Sequence, residues 1–259
     1  MHGILKTDAV ILSVSDLGES DRLVTFYTPG NGKFKAVAKG AKRSRRRFLN
    51  VLEPFTLIRL GVVPPRTDGL GHVDAAEVCE SFPAIRADMQ LFCMASLCCE
   101  MVDRWTRELD PHREVFHLLV WCLKALDSTS SHKKIALFFK VKLLGLVGYA
   151  PDWTKCSMCK DVPVGKIVQV TLKDGGFICE GCANRGSEAR VVSLGTLKTL
   201  HHIQQRPLTA LGRLIISDSA LTEAWALIKA LHSYRLHMTP LAYHVIEGCE
   251  RRSWHLGGR

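Results

Sequence analysis

Over the first eighty residues, short β-rich runs of apolar residues are broken by turn and loop chemistry, the pattern of strands. The runs fall at about Ile4 to Val14, Arg22 to Tyr27, Lys33 to Ala38, Pro54 to Val62 and Leu70 to Cys79. Turn chemistry separates them: Pro-Gly-Asn-Gly at 29 to 32, a basic run, and Pro64-Pro65 with Gly69 and Gly71. Five short strands in such a length predict a small closed barrel of OB type over residues 1–81.

From Phe82 the period becomes helical. Ile85, Met89, Phe92, Cys99 and Val102 recur at three- and four-residue spacings, and Asp110-Pro111 predicts a second helix start in N-cap and N1 order. Residues 131–147 predict a third helix, ending at Gly148. Residues 151–186 are a Cys- and Gly-rich insertion whose IVQVTLKDGGFIC segment predicts two strands around an Asp-Gly-Gly turn. Helical spacing resumes at Leu194 to Gln205, Ser219 to His237 and Pro240 to Glu250. The expected architecture is α+β multidomain. A barrel leads into a mainly helical domain, 82–150 and 187–250, interrupted by the 151–186 ribbon and followed by a loose tail at 251–259.

Composition sharpens this picture through cysteine and charge. Ten cysteines with no secretion signal argue for a reducing cytoplasm, where metal binding outranks disulfides. No uncharged stretch is long enough to span a bilayer, so no membrane role is expected. The net charge is +10, and it is concentrated in one window. From Arg22 to Leu52 nine basic residues occur with no acid: Arg22, Lys33, Lys35, Lys39, Lys42, Arg43, Arg45, Arg46 and Arg47. A polyanion is the matching partner.

The strongest chemical motif is Cys156-Ser-Met-Cys159 with Cys179-Glu-Gly-Cys182, two knuckles with the separation of a tetrahedral structural Zn²⁺ site. Four thiolates leave no open coordination position, so the ion supplies folding energy to a segment too small to bury a core. The other cysteines, Cys79, Cys93, Cys98, Cys99, Cys122 and Cys249, lie in apolar patterns and are expected in the core. Lys33 and Lys35 alternate with Phe34, Ala36 and Ala38, a strand with one basic and one buried face, and Gly40 to Arg47 suits a mobile loop. Together with Lys39, Lys42, Arg43, Arg45, Arg46 and Arg47 they form a candidate nucleic-acid groove, with Phe48 as a candidate base-stacking ring. On the third helix Lys133, Lys134, Lys140 and Lys142 form a second cluster, either a docking site for an acidic peptide or a solvated face.

Catalytic motifs are incomplete. Gly69-Leu-Gly71 lacks the third glycine of a dinucleotide fingerprint, and Ser131-His-Lys-Lys134 lacks its accompanying elements. Asp16, Glu19 and Asp21 could hold Mg²⁺ in a nuclease, but they read better as acids in a turn. No enzyme is expected. A metal-dependent nuclease and a zinc-ribbon RNA or ribosome binder are the alternatives.

Taken in order, Gly18-Glu19-Ser20-Asp21-Arg22-Leu23, Tyr27-Thr28-Pro29, Gly32, Lys39-Gly40-Ala41-Lys42-Arg43 and Leu52-Glu53-Pro54-Phe55 resemble the RecO family. So does Leu143-Leu144-Gly145-Leu146-Val147-Gly148-Tyr149 ahead of the cysteines, and the likeness runs from about residue 3 to 250. The family's Lys-Ser pair after the long helix is absent, Arg235-Leu-His-Met-Thr239 standing there instead. The resemblance implies an OB-fold domain, a helical domain and a zinc ribbon. It also implies a protein that binds single- and double-stranded DNA and anneals strands. Its implied partners are RecR and the acidic tail of single-stranded-DNA-binding protein, with RecA loading as the indirect result.

Overall fold

A computed structural model describes residues 3–44, 46–65, 69–128, 131–173, 175–183, 188–236, 239–246 and 248. The chain divides into two units, residues 1–130 with 244–259, and residues 131–243. Cys249 and the tail at 251–259 lie outside the described residues.

In the first unit, five strands close into a barrel in the order β1-β2-β3-β5-β4: β1 Leu5–Leu17, β2 Asp21–Thr28, β3 Gly32–Ala38, β4 Leu57–Val63 and β5 Gly71–Glu80. All five coincide with the β-rich runs of the sequence. The closure depends on β1, which is long enough to serve two neighbours. Its first half pairs with β4 (Leu5 opposite Val62) and its second half with β2 (Val14 opposite Val24), and an irregularity between Ile11 and Ser13 bends the strand. A short parallel contact, Ala36 opposite Gly71 and Val37 opposite His72, seals the barrel between β3 and β5. The inward alternation sends Ala9, Ile11, Val24, Phe26, Phe34, Ala36, Ile58, Leu60 and Val62 into the core. Each valine, leucine, isoleucine or phenylalanine among them contributes roughly 1.5–3 kcal/mol by leaving water. Cys79, expected in the core, is exposed because β5 turns most of its residues to solvent.

The same unit holds α1 Pro83–Ala87, α2 Met89–Trp105 and α3 Arg113–Asp127. Asp88 caps α2 by accepting from the amides of Gln90 and Leu91 at 2.7 and 3.0 Å. The α2–α3 seam is apolar, and the Cys98 and Cys122 sulfurs lie 3.5 Å apart within it, so these thiols pack as small hydrophobes. Helix α3 begins at Arg113, two residues beyond the Pro111 start expected from sequence. The chain just before it is tied to β3, with Leu109 at φ +57: Leu109 N donates to Lys33 O at 2.8 Å, and Glu108 forms a bridge with Lys33. Gly32, at φ +65, is pressed so closely against this chain that a Cβ there would overlap the Asp110 carbonyl. No other residue fits at that position.

In the second unit, α4 His132–Leu146, α5 Leu194–Gln205, α6 Leu208–Leu211 and α7 Asp218–Leu236 pack with a three-stranded sheet of order β7-β6-β8. Strands β6 Ile167–Thr171 and β7 Phe177–Ile178 are the hairpin expected from sequence. Strand β8, Ala189–Ser193, was not anticipated; its Arg190-Val191-Val192 run is too short to stand out until it pairs with β6. Glu223 of α7 ties β8 to α5 by accepting from Ser193 N at 2.9 Å and Thr196 Oγ1 at 2.7 Å. The Ser193 amide holds its carboxyl below the usual carboxylate range. The segment Leu241 to Ile246 is helical, as its spacing suggested. Among the described residues no helix is long and apolar enough to cross a membrane.

Candidate nucleic-acid interface and metal centre

The barrel separates its basic residues into two environments. Because Phe34, Ala36 and Ala38 point inward, Lys33 and Lys35 stand on the outer face of β2 and β3, the face OB barrels commonly offer to oligonucleotides. Here the chain's own α2–α3 connection covers part of that face. Lys33 is buried, its Nζ donating to Asp103 O and lying 3.2 Å from Asp103 Oδ1. Lys35 Nζ is half-exposed and 3.6 Å from Glu108 Oε1. Tyr27, opposite Lys33 on β2, is buried beneath the same segment and donates its hydroxyl to His112 O at 3.4 Å. That burial pushes the phenol up to about 12. Lys33 is thus removed from the expected phosphate-contact set, having been claimed by a carboxylate that no local pattern links to it.

Lys39, Lys42, Arg43, Arg46 and Arg47 are exposed on the connection between β3 and β4, and Arg45 lies outside the described residues. The described residues of this connection are tied to the barrel by turns and hydrogen bonds. Gly40, at φ +67, opens a 3-10 turn at Ala41–Arg43, and Ala41 enters the barrel core. Ser44 Oγ accepts from the amides of Arg47 and Phe48, each at 3.1 Å. Phe48 is 3% exposed, seated in the barrel core beneath the Arg47 guanidinium, which lies 4.4 Å from the ring centroid. It is therefore an anchor rather than a stacking platform, since a ring enclosed on both faces offers nothing to a base.

The acids of the β1–β2 turn are engaged by the same connection. Lys42 Nζ lies 2.9 Å from Asp16 Oδ2, and Arg43 lies 3.8 Å from Glu19. Asp21 Oδ1 accepts from Gly40 N and from Ser20 Oγ, each at 2.8 Å. The Lys42 hydrogen bond holds the Asp16 carboxyl below its ordinary value, and the Gly40 amide does so for Asp21. Three carboxylates committed in this way to three different donors do not converge on a common point as Mg²⁺ ligands must.

The four cysteines do converge. Sulfur atoms of Cys156, Cys159, Cys179 and Cys182 lie within 4.8 Å of one another, and Cys159 and Cys179 approach to 3.5 Å. A regular tetrahedron of thiolates around Zn²⁺ has sulfurs about 3.8 Å apart. Each pair is shaped by a backbone knuckle. Lys160 N donates to Cys156 O and Cys156 N to Asp161 O, with Lys160 at φ +68; Cys182 N donates to Cys179 O. Burial works against a Cys156 thiolate, but amides led by Cys179 N, 3.4 Å away, outweigh it and bring the thiol to about 6. The cluster can hold a metal ion, and its donors are all sulfur.

The helix α4 lysines do not form one surface. Lys140 is fully buried, its Nζ 3.5 Å from the Trp225 ring centroid and 5.1 Å from that of Tyr243. That removes it from the expected peptide-docking set. Lys142, with its pKa lowered by burial, caps the end of α5 by donating to Gln204 O at 2.7 Å. Lys133 sits 5.4 Å from the Trp225 ring, and Lys134 is half-buried. The three- and four-residue spacings around Lys140 are those of a helix buried on most sides, a sign that this lysine belongs to the interior.

A closed five-stranded OB-type barrel, a helical unit and a cluster of four thiols able to hold a metal ion define a class of multidomain barrel protein. Sequence comparison makes it specific. The family description "Recombination protein O N terminal" matches residues 1–82, and "Recombination protein O C terminal" matches residues 86–242. The DNA repair protein RecO of Syntrophus aciditrophicus (strain SB) is 31% identical over 250 residues, covering 95% of this chain and 96% of the relative. That of Myxococcus xanthus (strain DK1622) is 35% identical over 204 residues, 79% of this chain and 83% of the relative. That of Anaeromyxobacter sp. (strain K) is 34% identical over 233 residues, 90% and 91%. The chain belongs to the RecO family of DNA repair proteins.

Proposed function

We propose that the protein is a non-catalytic recombination mediator that binds single- and double-stranded DNA, anneals complementary strands and prepares single strands for RecA. The observation that carries this reading is the family match through both units, joined to a barrel with an exposed connection holding Lys39, Lys42, Arg43, Arg46 and Arg47. A cationic surface of this kind neutralises phosphates regardless of sequence, releasing counterions, and so suits a protein that must meet any broken end. Holding two strands together requires screening both, which a dense basic patch provides. No covalent step is involved, so the contribution to annealing is proximity and charge neutralisation.

In this reading RecR and the acidic tail of single-stranded-DNA-binding protein are the protein partners. Lys133 and Lys134 are the residues of α4 that would meet the acidic tail. Zn²⁺ occupies the four thiolates as a structural ion, fixing the two knuckles against each other. The protein works in the cytoplasm, at the nucleoid. Annealing of complementary oligonucleotides at low salt tests the reading. Accelerated annealing supports it, and the absence of both annealing and a DNA mobility shift overturns it. Two further arms address the other classes: cleavage of labelled DNA with Mg²⁺ or Mn²⁺ would mark a nuclease, and stronger binding to RNA than to DNA of equal sequence would mark an RNA binder.

A further inference from the structure

We propose that Asp21 is the positioning residue of the basic connection between β3 and β4, holding it in the shape that meets phosphate, while its neighbours Asp16 and Glu19 oppose DNA by competing for Lys42 and Arg43. The inference rests on the reading of that connection as the DNA surface. Three acids within six residues thus carry opposite roles, which charge alone would not separate.

At its start, the connection is pinned through Gly40, which leaves β3 in a left-handed conformation and donates its amide to Asp21 Oδ1 at 2.8 Å; Lys42 N donates to Ser20 O at 3.0 Å. At its far end Phe48 is buried in the barrel. Between them Arg47 Nη2 donates to Lys39 O at 2.8 Å, closing the arch on itself. The exposed cations are therefore displayed on a framework held at its far end by a buried ring and at its start by the Asp21 carboxylate oxygen, the Ser20 carbonyl and the Ala41 side chain in the barrel core. A preformed arch avoids the entropic cost of ordering on binding. Asp16 and Glu19 make no comparable backbone contact. Their oxygens meet the cationic ends of Lys42 and Arg43, where a phosphate would stand.

Electrostatics and positioning predict opposite signs at Asp21. Removing an acid beside a basic surface strengthens attraction to a polyanion. Removing the acceptor that orients Gly40 loosens the arch and weakens binding. The test uses the full-length protein and fluorescence anisotropy with a labelled thymidine oligonucleotide and a labelled duplex, titrated over a range of salt. Asp21→Ala is expected to bind both about five-fold more weakly. Asp21→Asn keeps the acceptor oxygen and should stay within about two-fold of wild type. Asp16→Asn with Glu19→Gln should bind about three-fold more tightly. Should Asp21→Ala not fold, Asp21→Glu decides. It keeps the charge but misplaces the oxygen by one methylene, so weaker binding supports positioning and wild-type affinity refutes it. Tighter binding by both Asp21→Ala and Asp21→Asn overturns the proposal. A control separates the two readings. If Arg43, Arg46 and Arg47 changed together to Ala leave affinity unaltered, the DNA surface itself has been misplaced; if they weaken it while Asp21→Ala does not, only the positioning role fails.

Discussion

Truncating Phe48 to alanine removes a ring that is 3% exposed and lies among Ala41, Leu52 and the barrel interior. A buried phenylalanine replaced by alanine costs about 3–5 kcal/mol, transfer and cavity together. Loss of the Arg47 guanidinium packing, 4.4 Å above the ring, adds about 0.5–1 kcal/mol at a partly exposed site. Against a typical stability of roughly 5–15 kcal/mol that is a large fraction. The barrel transition should fall by on the order of 10–20 °C. Phe48→Leu retains most of the apolar volume and should cost about 1–1.5 kcal/mol. Thermal unfolding followed by circular dichroism, alongside oligonucleotide binding well below the transition, checks both values. The stacking alternative differs in kind. A base platform removed from the surface would lower single-strand affinity by about 1–3 kcal/mol per base without changing stability. If Phe48→Ala unfolds at the wild-type temperature while losing single-strand but not duplex binding, the ring is on the surface and the anchoring argument is refuted.

Changing Arg43, Arg45, Arg46 and Arg47 together to Ala should reduce the single-strand salt slope by about 0.7 for each phosphate no longer neutralised, at a stability cost of about 0.5–1 kcal/mol from the lost Arg47 packing on Phe48; an unchanged slope would place the DNA surface elsewhere. Metal analysis should find one Zn²⁺ per chain, and Cys179→Ser or chelation should unfold the ribbon while the barrel keeps its own transition; a metal-free native protein would contradict the site. Lys140→Ala should destabilise the helical unit by about 3 kcal/mol, since it removes both the buried stem and the cation held against Trp225. It should leave the affinity of the folded protein for an acidic tail peptide unchanged; denaturant melts and peptide titration read the two effects. His232 is fully buried, and its pKa is held well below the ordinary value by that burial and by Lys140. Its lowered folded pKa means the neutral form contributes stability in full above about pH 6.5. As pH falls through that value the unfolded chain takes up a proton that the folded chain refuses, at up to about 1.4 kcal/mol per pH unit. Melts from neutral pH down through the ordinary histidine range should show that loss, and His232→Gln should flatten it.

The barrel was legible in the sequence because its elements are local. The β-rich runs over Leu5–Leu17, Asp21–Thr28, Gly32–Ala38, Leu57–Val63 and Gly71–Glu80 mark strands without knowledge of partners, and Pro and Gly mark their ends. The clustering of the four cysteines was equally plain, since each CxxC knuckle carries its geometry within a single short turn. What the sequence left open was every contact between distant segments. Lys33, Lys35, Lys39 and Phe48 look alike as members of one basic stretch, yet Lys33 is engaged by Asp103, 70 residues away, and Phe48 is a core residue. Lys140 looks like one of a surface cluster until Trp225 of α7 and Tyr243 of the helical segment after it enclose its ammonium group. The start of α3 was misplaced for the same reason: Pro111 is a good first helical residue, but pairing of Leu109 with β3 delays the turn. Residue type and spacing determine strands, knuckles and net charge because those arise from neighbours along the chain. Which charges remain free for a partner is decided only in three dimensions, because burial and ion pairing depend on what the rest of the chain places beside them.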